Sequence, residues 1–201
     1  MATEFEISPS ILIVAFLVVV AFVYGMFYMK ERFAEVDYVT STIDNRRYLV
    51  RNLPDSDKAA DLLAQLNQRF SKIVDVMVEE NPGNADVDRL QRNYVPENLS
   101  EGNDDSNYTS YSVNKGEQIV FCLRSRDGED TLVVINTLMY VGTHELAHLM
   151  TKEVGHTPTF WENFKILLNR AVELDLYRKV DYNKKPKEYC GIKITSTVLK
   201  D

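Results

Sequence analysis

The stretch His144-Glu145-Leu146-Ala147-His148, followed by Gly155-His156-Thr157-Pro158-Thr159-Phe160-Trp161, holds all three histidines of the chain. On a helix, the HExxH spacing of the first five residues puts two imidazoles at i and i+4, one turn apart on one face. From there both reach a single zinc ion, with the glutamate beside them as a base. With three His in 201 residues, random order produces such a pentapeptide in only roughly a few chains per thousand. The bland alternative is a helix with two structural histidines, and the surroundings count against it. Thr131-Leu132-Val133-Val134-Ile135-Asn136 reads as a strand. Thr137 to Lys152 reads as a helix, with Leu138, Val141, Leu146, Leu149 and Met150 as apolar positions. Gly155 suits a left-handed turn that brings His156 back toward the first two imidazoles. Thr157 or Thr159 can cap a second helix, and Thr159 with Glu162 has the spacing of a capping box. Phe160, Phe164, Leu167, Leu168, Ala171 and Leu174 then form an apolar stripe, read as core.

Three imidazoles leave the fourth position of a tetrahedral zinc open, the catalytic rather than the structural arrangement. Glu145 is placed to take a proton from water activated there. Glu162 and Glu173 are alternative third ligands on the following helix. His156 is preferred because it is nearer and is the remaining histidine. The metzincin spacing HExxHxxGxxH is excluded, since His156 lies two residues too far along.

The same run, from about Val133 to Leu168, resembles the SprT, WLM and YgjP-like group of zinc metalloproteases, which pair HExxH with a downstream H-x-P-x-F-W-like segment. The resemblance implies His144, His148 and His156 as metal ligands and Glu145 as general base. The overall arrangement is also similar to single-pass HExxH proteins encoded by large DNA viruses, which would make the membrane a viral one. That second likeness implies no activity.

Ile11 to Met29 is a run of nineteen residues without a charge. At 1.5 Å per residue it spans roughly 28 Å, close to the hydrocarbon thickness of a bilayer. Tyr24 and Tyr28 lie toward one end, as an aromatic belt would have them. A cleaved signal peptide fits less well. The chain starts with Glu4 and Glu6 rather than basic residues, and no small-x-small cleavage site is clear. The expectation is a short acidic segment over 1–10, a transmembrane helix over 11–29, a charged stalk over 30–55 and the catalytic domain over 56–201. Lys30, Arg32, Arg46, Arg47 and Arg51 follow the apolar run and none precedes it, so the positive-inside rule puts the domain in the cytoplasm. The sequons at Asn98 and Asn107 would then stay unmodified, and Cys122 and Cys190 would stay reduced.

Pro54-Asp55-Ser56-Asp57 signals a helix start. Ala59, Leu62, Leu63, Leu66, Phe70, Ile73, Val74 and Met77 mark its apolar face to about Glu80, where Asn81-Pro82-Gly83-Asn84 stops it. Residues 97–116 read as a polar loop. Gln118 to Arg124 and Thr131 to Ile135 read as a hairpin leading into the HExxH helix, and one of its edges could take a peptide as an added strand. The net charge of −7, without a basic stripe, disfavours nucleic acid as a partner.

Together these readings give an α+β zincin-type domain on a membrane anchor. Its function is hydrolysis of peptide bonds in protein substrates with Zn²⁺ as cofactor. Tyr140, Tyr182 and Tyr189 are candidate oxyanion stabilisers, and the sequence does not choose among them. The competing reading is a non-catalytic, membrane-tethered structural or assembly protein that retains a zinc site. Glu145 counts against it, because a structural site needs no base.

Overall fold

The first element is an apolar helix, α1 (Pro9–Ala34), in a computed structural model that describes residues 9–103 and 108–199. Within it Pro9–Met26 is long and apolar enough to cross a membrane, with a mean hydropathy of 2.5 and no part of that window buried. Glu4, Glu6 and Asn107 lie outside the described residues. The chain divides into two units, Met1–Val36 and Asp37–Asp201, and the second carries all three histidines.

The centre of this second unit is helix α2 (Ser56–Glu80), which starts and stops where the sequence signals it. All eight apolar residues read as its inner face are buried, so one stripe at helical spacing covers the sheet, as an amphipathic helix must. The sheet has five strands in the order β1-β2-β3-β5-β4: β1 (Val36–Thr40), β2 (Arg47–Arg51), β3 (Leu99–Glu101), β4 (Ser110–Val113) and β5 (Gln118–Phe121). β2, β3 and β5 run parallel, whereas β4 pairs antiparallel with β5 and forms one edge. A short helix, α3 (Ala85–Asn93), is capped by the Asn84 side chain, which accepts from the backbone N–H groups of Asp86 and Val87.

Helix α4 (Ile135–Met150) packs against α2, α3 and β4, and against helix α5 (Pro158–Glu173). Gly142 allows the close approach of α4 to α2. A Cβ built there would lie 2.3 Å from Cζ of Phe70. A small hairpin, β6 (Lys187–Tyr189) and β7 (Ile192–Ile194), forms a separate two-stranded sheet.

Four expectations are corrected. Residues 36–51, read as stalk, supply two strands of the sheet, and Val50 and Tyr48 are buried. In β2 burial alternates, with Tyr48 and Val50 buried and Arg47, Leu49 and Arg51 less so, and its Tyr, Leu and Val suit a strand rather than a linker. Residues 97–116, read as loop, contain β3 and β4. These strands are short and carry serines, because pairing inside the sheet rather than side-chain propensity holds them. Thr131–Asn136 is not a strand: only a bridge between Leu132 and Arg124 forms, and Ile135 already belongs to α4. The expected hairpin before the HExxH helix is therefore replaced by the β4–β5 pair. Cys122 and Cys190, expected to be reduced, form a disulfide that ties the end of β5 to the β6–β7 turn, with Cα atoms 6.3 Å apart. A separation of 68 residues hides such proximity from sequence reading.

Candidate metal centre and its cleft

His144, Glu145 and His148 come from the C-terminal half of α4. After Met150 the chain leaves the helix, passes Gly155 at φ +86 and brings His156 to the same face. Only a residue without a Cβ takes that conformation freely. Thr157 then caps α5, its hydroxyl accepting from the Phe160 N–H, with Pro158 at the first helical position. Thr159, read as an alternative cap, is inside the helix.

The three imidazoles form one cluster whose candidate ligand atoms all lie within 4.8 Å of one another, with Nε2 of His144 and His156 3.0 Å apart. Tetrahedral zinc with Zn–N bonds of about 2.0–2.1 Å sets donors roughly 3.3 Å apart. The donor set therefore fits a metal ion with only small adjustments. Phe160, fully buried, touches all three rings at centroid distances of 4.8, 4.4 and 4.7 Å for His144, His148 and His156. Burial lowers the His144 pKa to about 3 and the His148 pKa to about 4, helped by the neighbouring imidazoles. Both rings are thus held neutral, the form that binds metal. Of the alternative ligands, Glu162 is exposed and Glu173 pairs with Arg170 at 2.8 Å; neither joins the cluster.

Glu145 is 4% exposed. Burial raises its pKa to about 7, opposed by a hydrogen bond with Ser112 of β4. The carboxyl thus sits between the histidine cluster and the edge strand. A cleft of about 550 Å³ opens there, lined by Ser110, Tyr111 and Ser112 of β4, Asn114 and Lys115 of the following turn, the three histidines with Glu145, and Val154 with Gly155. None of the three tyrosines proposed from sequence lines it. Tyr140 donates to the Ser196 carbonyl at 3.0 Å, Tyr182 is buried, and Tyr189 lies behind β4, bonded to Ser110 Oγ at 2.7 Å and to the Cys122 carbonyl at 3.0 Å. Tyr111 is the tyrosine at the cleft. Ser110-Tyr111-Ser112-Val113 does alternate polar and apolar residues, but over four residues that is too weak a signal to mark its strand.

The profile of the WLM domain family matches residues 41–198. The chain therefore belongs to the WLM domain family, and its fold is of the zincin-related protease type. It is similar over its whole length to an uncharacterised protein of Acanthamoeba polyphaga mimivirus, 36% identical over 205 residues and covering 100% of both chains. It is also similar to an uncharacterised protein of Invertebrate iridescent virus 6, 38% identical over 84 residues, which is 40% of this chain and 44% of that one. Among solved structures it is similar to Wss1 from Saccharomyces cerevisiae, at 21% identity and a TM-score of 0.48, over 63% of this chain and 87% of that one.

Proposed function

We propose that the protein is a membrane-anchored, zinc-dependent peptidase with His144, His148 and His156 as metal ligands and Glu145 as general acid–base. The observation that carries this reading is the buried Glu145 beside a three-histidine cluster in a cleft walled by an edge strand. His144, His148 and His156 would hold a zinc ion, which when bound would supply a Lewis acid for the scissile carbonyl and lower the pKa of water toward about 7. Glu145 accepts the proton of the attacking water on a carboxylate oxygen and hands it to the departing amide nitrogen. Ser112 fixes the carboxyl against β4. β4, the last strand in the sheet order among the described residues, offers its outer edge to an extended segment of substrate, which would add to the sheet as one more strand. Membership of the WLM family supports a protein substrate, and the net charge of −7 weighs against a nucleic-acid one. Pro9–Met26 is the proposed anchor.

The test is hydrolysis of an unfolded protein substrate by full-length protein in detergent, wild type against Glu145→Gln. The variant keeps the shape of the site and is expected to retain metal while losing about 10²–10⁴-fold in rate. Equal rates would remove Glu145 from the chemistry and favour a structural metal site.

A further inference from the structure

Lys115 is in the β4–β5 turn, distant in sequence from the histidines, yet its ammonium is directed at the backbone between them. Nζ donates to the carbonyl of Thr151 at 2.6 Å, that of Glu153 at 2.7 Å and that of His148 at 3.3 Å. Three donors meet three carbonyls, the full capacity of an ammonium group. These carbonyls lie at the C-terminal end of α4 and just beyond it, where unpaired C=O groups and the negative end of the helix dipole favour a cation.

Other side chains also cap this helix end. Arg89 donates to Met150 O at 2.7 Å and Asn93 to Leu149 O at 3.0 Å. Asn163 of α5 donates to Thr151 Oγ1 at 3.0 Å. Each of these stops at or before residue 151. Lys115 alone among them reaches Glu153, inside the connector that joins the second histidine to the third, and three residues before His156.

The turn is also shaped for this contact. Asn114 and Lys115 both adopt the left-handed region, at φ +45 and +60. Asn tolerates that region, whereas a lysine there is strained and a glycine would not be. Gly116 follows at φ +118, where a Cβ would lie 2.1 Å from the Asn93 carbonyl oxygen. The turn is therefore pressed against the α3 end with its lysine pointing at the connector.

We infer that Lys115 is a positioning residue: by clasping the carbonyls of His148, Thr151 and Glu153 it holds the connector in the path that delivers His156 to the other two histidines. The inference rests on the three-histidine metal reading. Lys115 donates to the backbone, so it acts through His156 and not on substrate.

The test is a double-mutant cycle on zinc affinity, measured by competition with a chromophoric chelator on full-length protein in detergent. Lys115→Met keeps the length of the stem and removes the donors. It is expected to weaken zinc binding about 10–100-fold, the range typical of residues that orient a ligand from outside the coordination shell. In a His156→Ala background the same change is expected to alter affinity by no more than about twofold, because the ligand it positions is already gone. Thermal melting of the metal-free forms separates this from general loss of fold. Lys115→Arg, whose planar head cannot meet three converging carbonyls as an ammonium does, is expected to give a smaller loss with the same non-additivity. It keeps the cycle usable if Met at 115 does not fold. Losses that simply add, or undiminished affinity in Lys115→Met, overturn the role of Lys115. Undiminished affinity in His156→Ala overturns the three-histidine reading itself.

Discussion

Phe160 is the residue against which the three imidazoles are packed. Its ring lies 4.8, 4.4 and 4.7 Å, centroid to centroid, from His144, His148 and His156. Phe160→Ala should cost about 3–5 kcal/mol of stability and also lower zinc affinity, read by urea unfolding and chelator competition. The histidines themselves set a pH dependence in chelated protein. The pKa values of His144 and His148 fall to about 3 and about 4 when the chain folds, against about 6.5 in the unfolded chain. Between those limits the unfolded state binds more protons, so stability rises with pH. The melting temperature of metal-free protein is therefore expected to fall as pH is lowered from about 6.5 toward about 4, and His144→Ala should flatten that slope. Glu145, raised to about 7 by burial, opposes this trend, so an unchanged slope in His144→Ala is the result that would contradict the burial of these rings. At this scale the sequence was highly legible. HExxH and a third histidine concentrate their chemistry in a few residues. Lys115 and Ser112 were not legible, because a backbone contact or a carboxylate contact made from 33 residues away leaves no local pattern.

At the level of elements, α2 and α5 could be read from their apolar stripes, since burial of one face holds each in place. β4 could not, because four residues with two serines carry too little period to stand out from a polar loop. The α2–α4 crossing makes a prediction about packing. Gly142→Ala would gain up to about 1 kcal/mol in helix propensity. It would also drive a methyl group into Phe70, and overpacking costs about 1–3 kcal/mol. Set against the full propensity gain, the net expected effect is destabilisation of up to about 2 kcal/mol, measured by denaturant titration. The β6–β7 hairpin has three residues in each strand and lies outside the main sheet, and such a hairpin is marginal alone. The Cys122–Cys190 disulfide and Tyr189, wedged behind β4, fasten it. Closing a loop of this length contributes about 4 kcal/mol in the chain-entropy account. Reduction should lower the melting temperature. It should also raise hydrogen exchange in β6, β7 and β4, whereas an unchanged exchange pattern would mean the hairpin holds without its bond.

For the whole molecule, two features bear on which side the domain would face if Pro9–Met26 spans a membrane. Lys30 and Arg32 beyond the apolar run favour a cytoplasmic domain, while a disulfide persists on an oxidising face. The disulfide belongs to the folded domain itself, so the expected result is that Cys122 and Cys190 in protein taken from cells alkylate only after reduction. Thiols that alkylate directly would favour the cytoplasmic placement expected from Lys30 and Arg32. The apolar helix Pro9–Met26 was legible from composition alone, because hydrophobic length is a one-dimensional property. The start of the domain was not, because β1 and β2 pair within a sheet whose other strands lie much later in the chain.

The most direct measurement follows peptide hydrolysis while zinc is titrated into chelated, full-length protein. The account predicts that activity rises in proportion to zinc and breaks at about one equivalent, the stoichiometry of a single three-histidine site. Hydrolysis that persists after complete chelation, or uptake of zinc at that stoichiometry with no hydrolysis of any unfolded protein substrate, would contradict it.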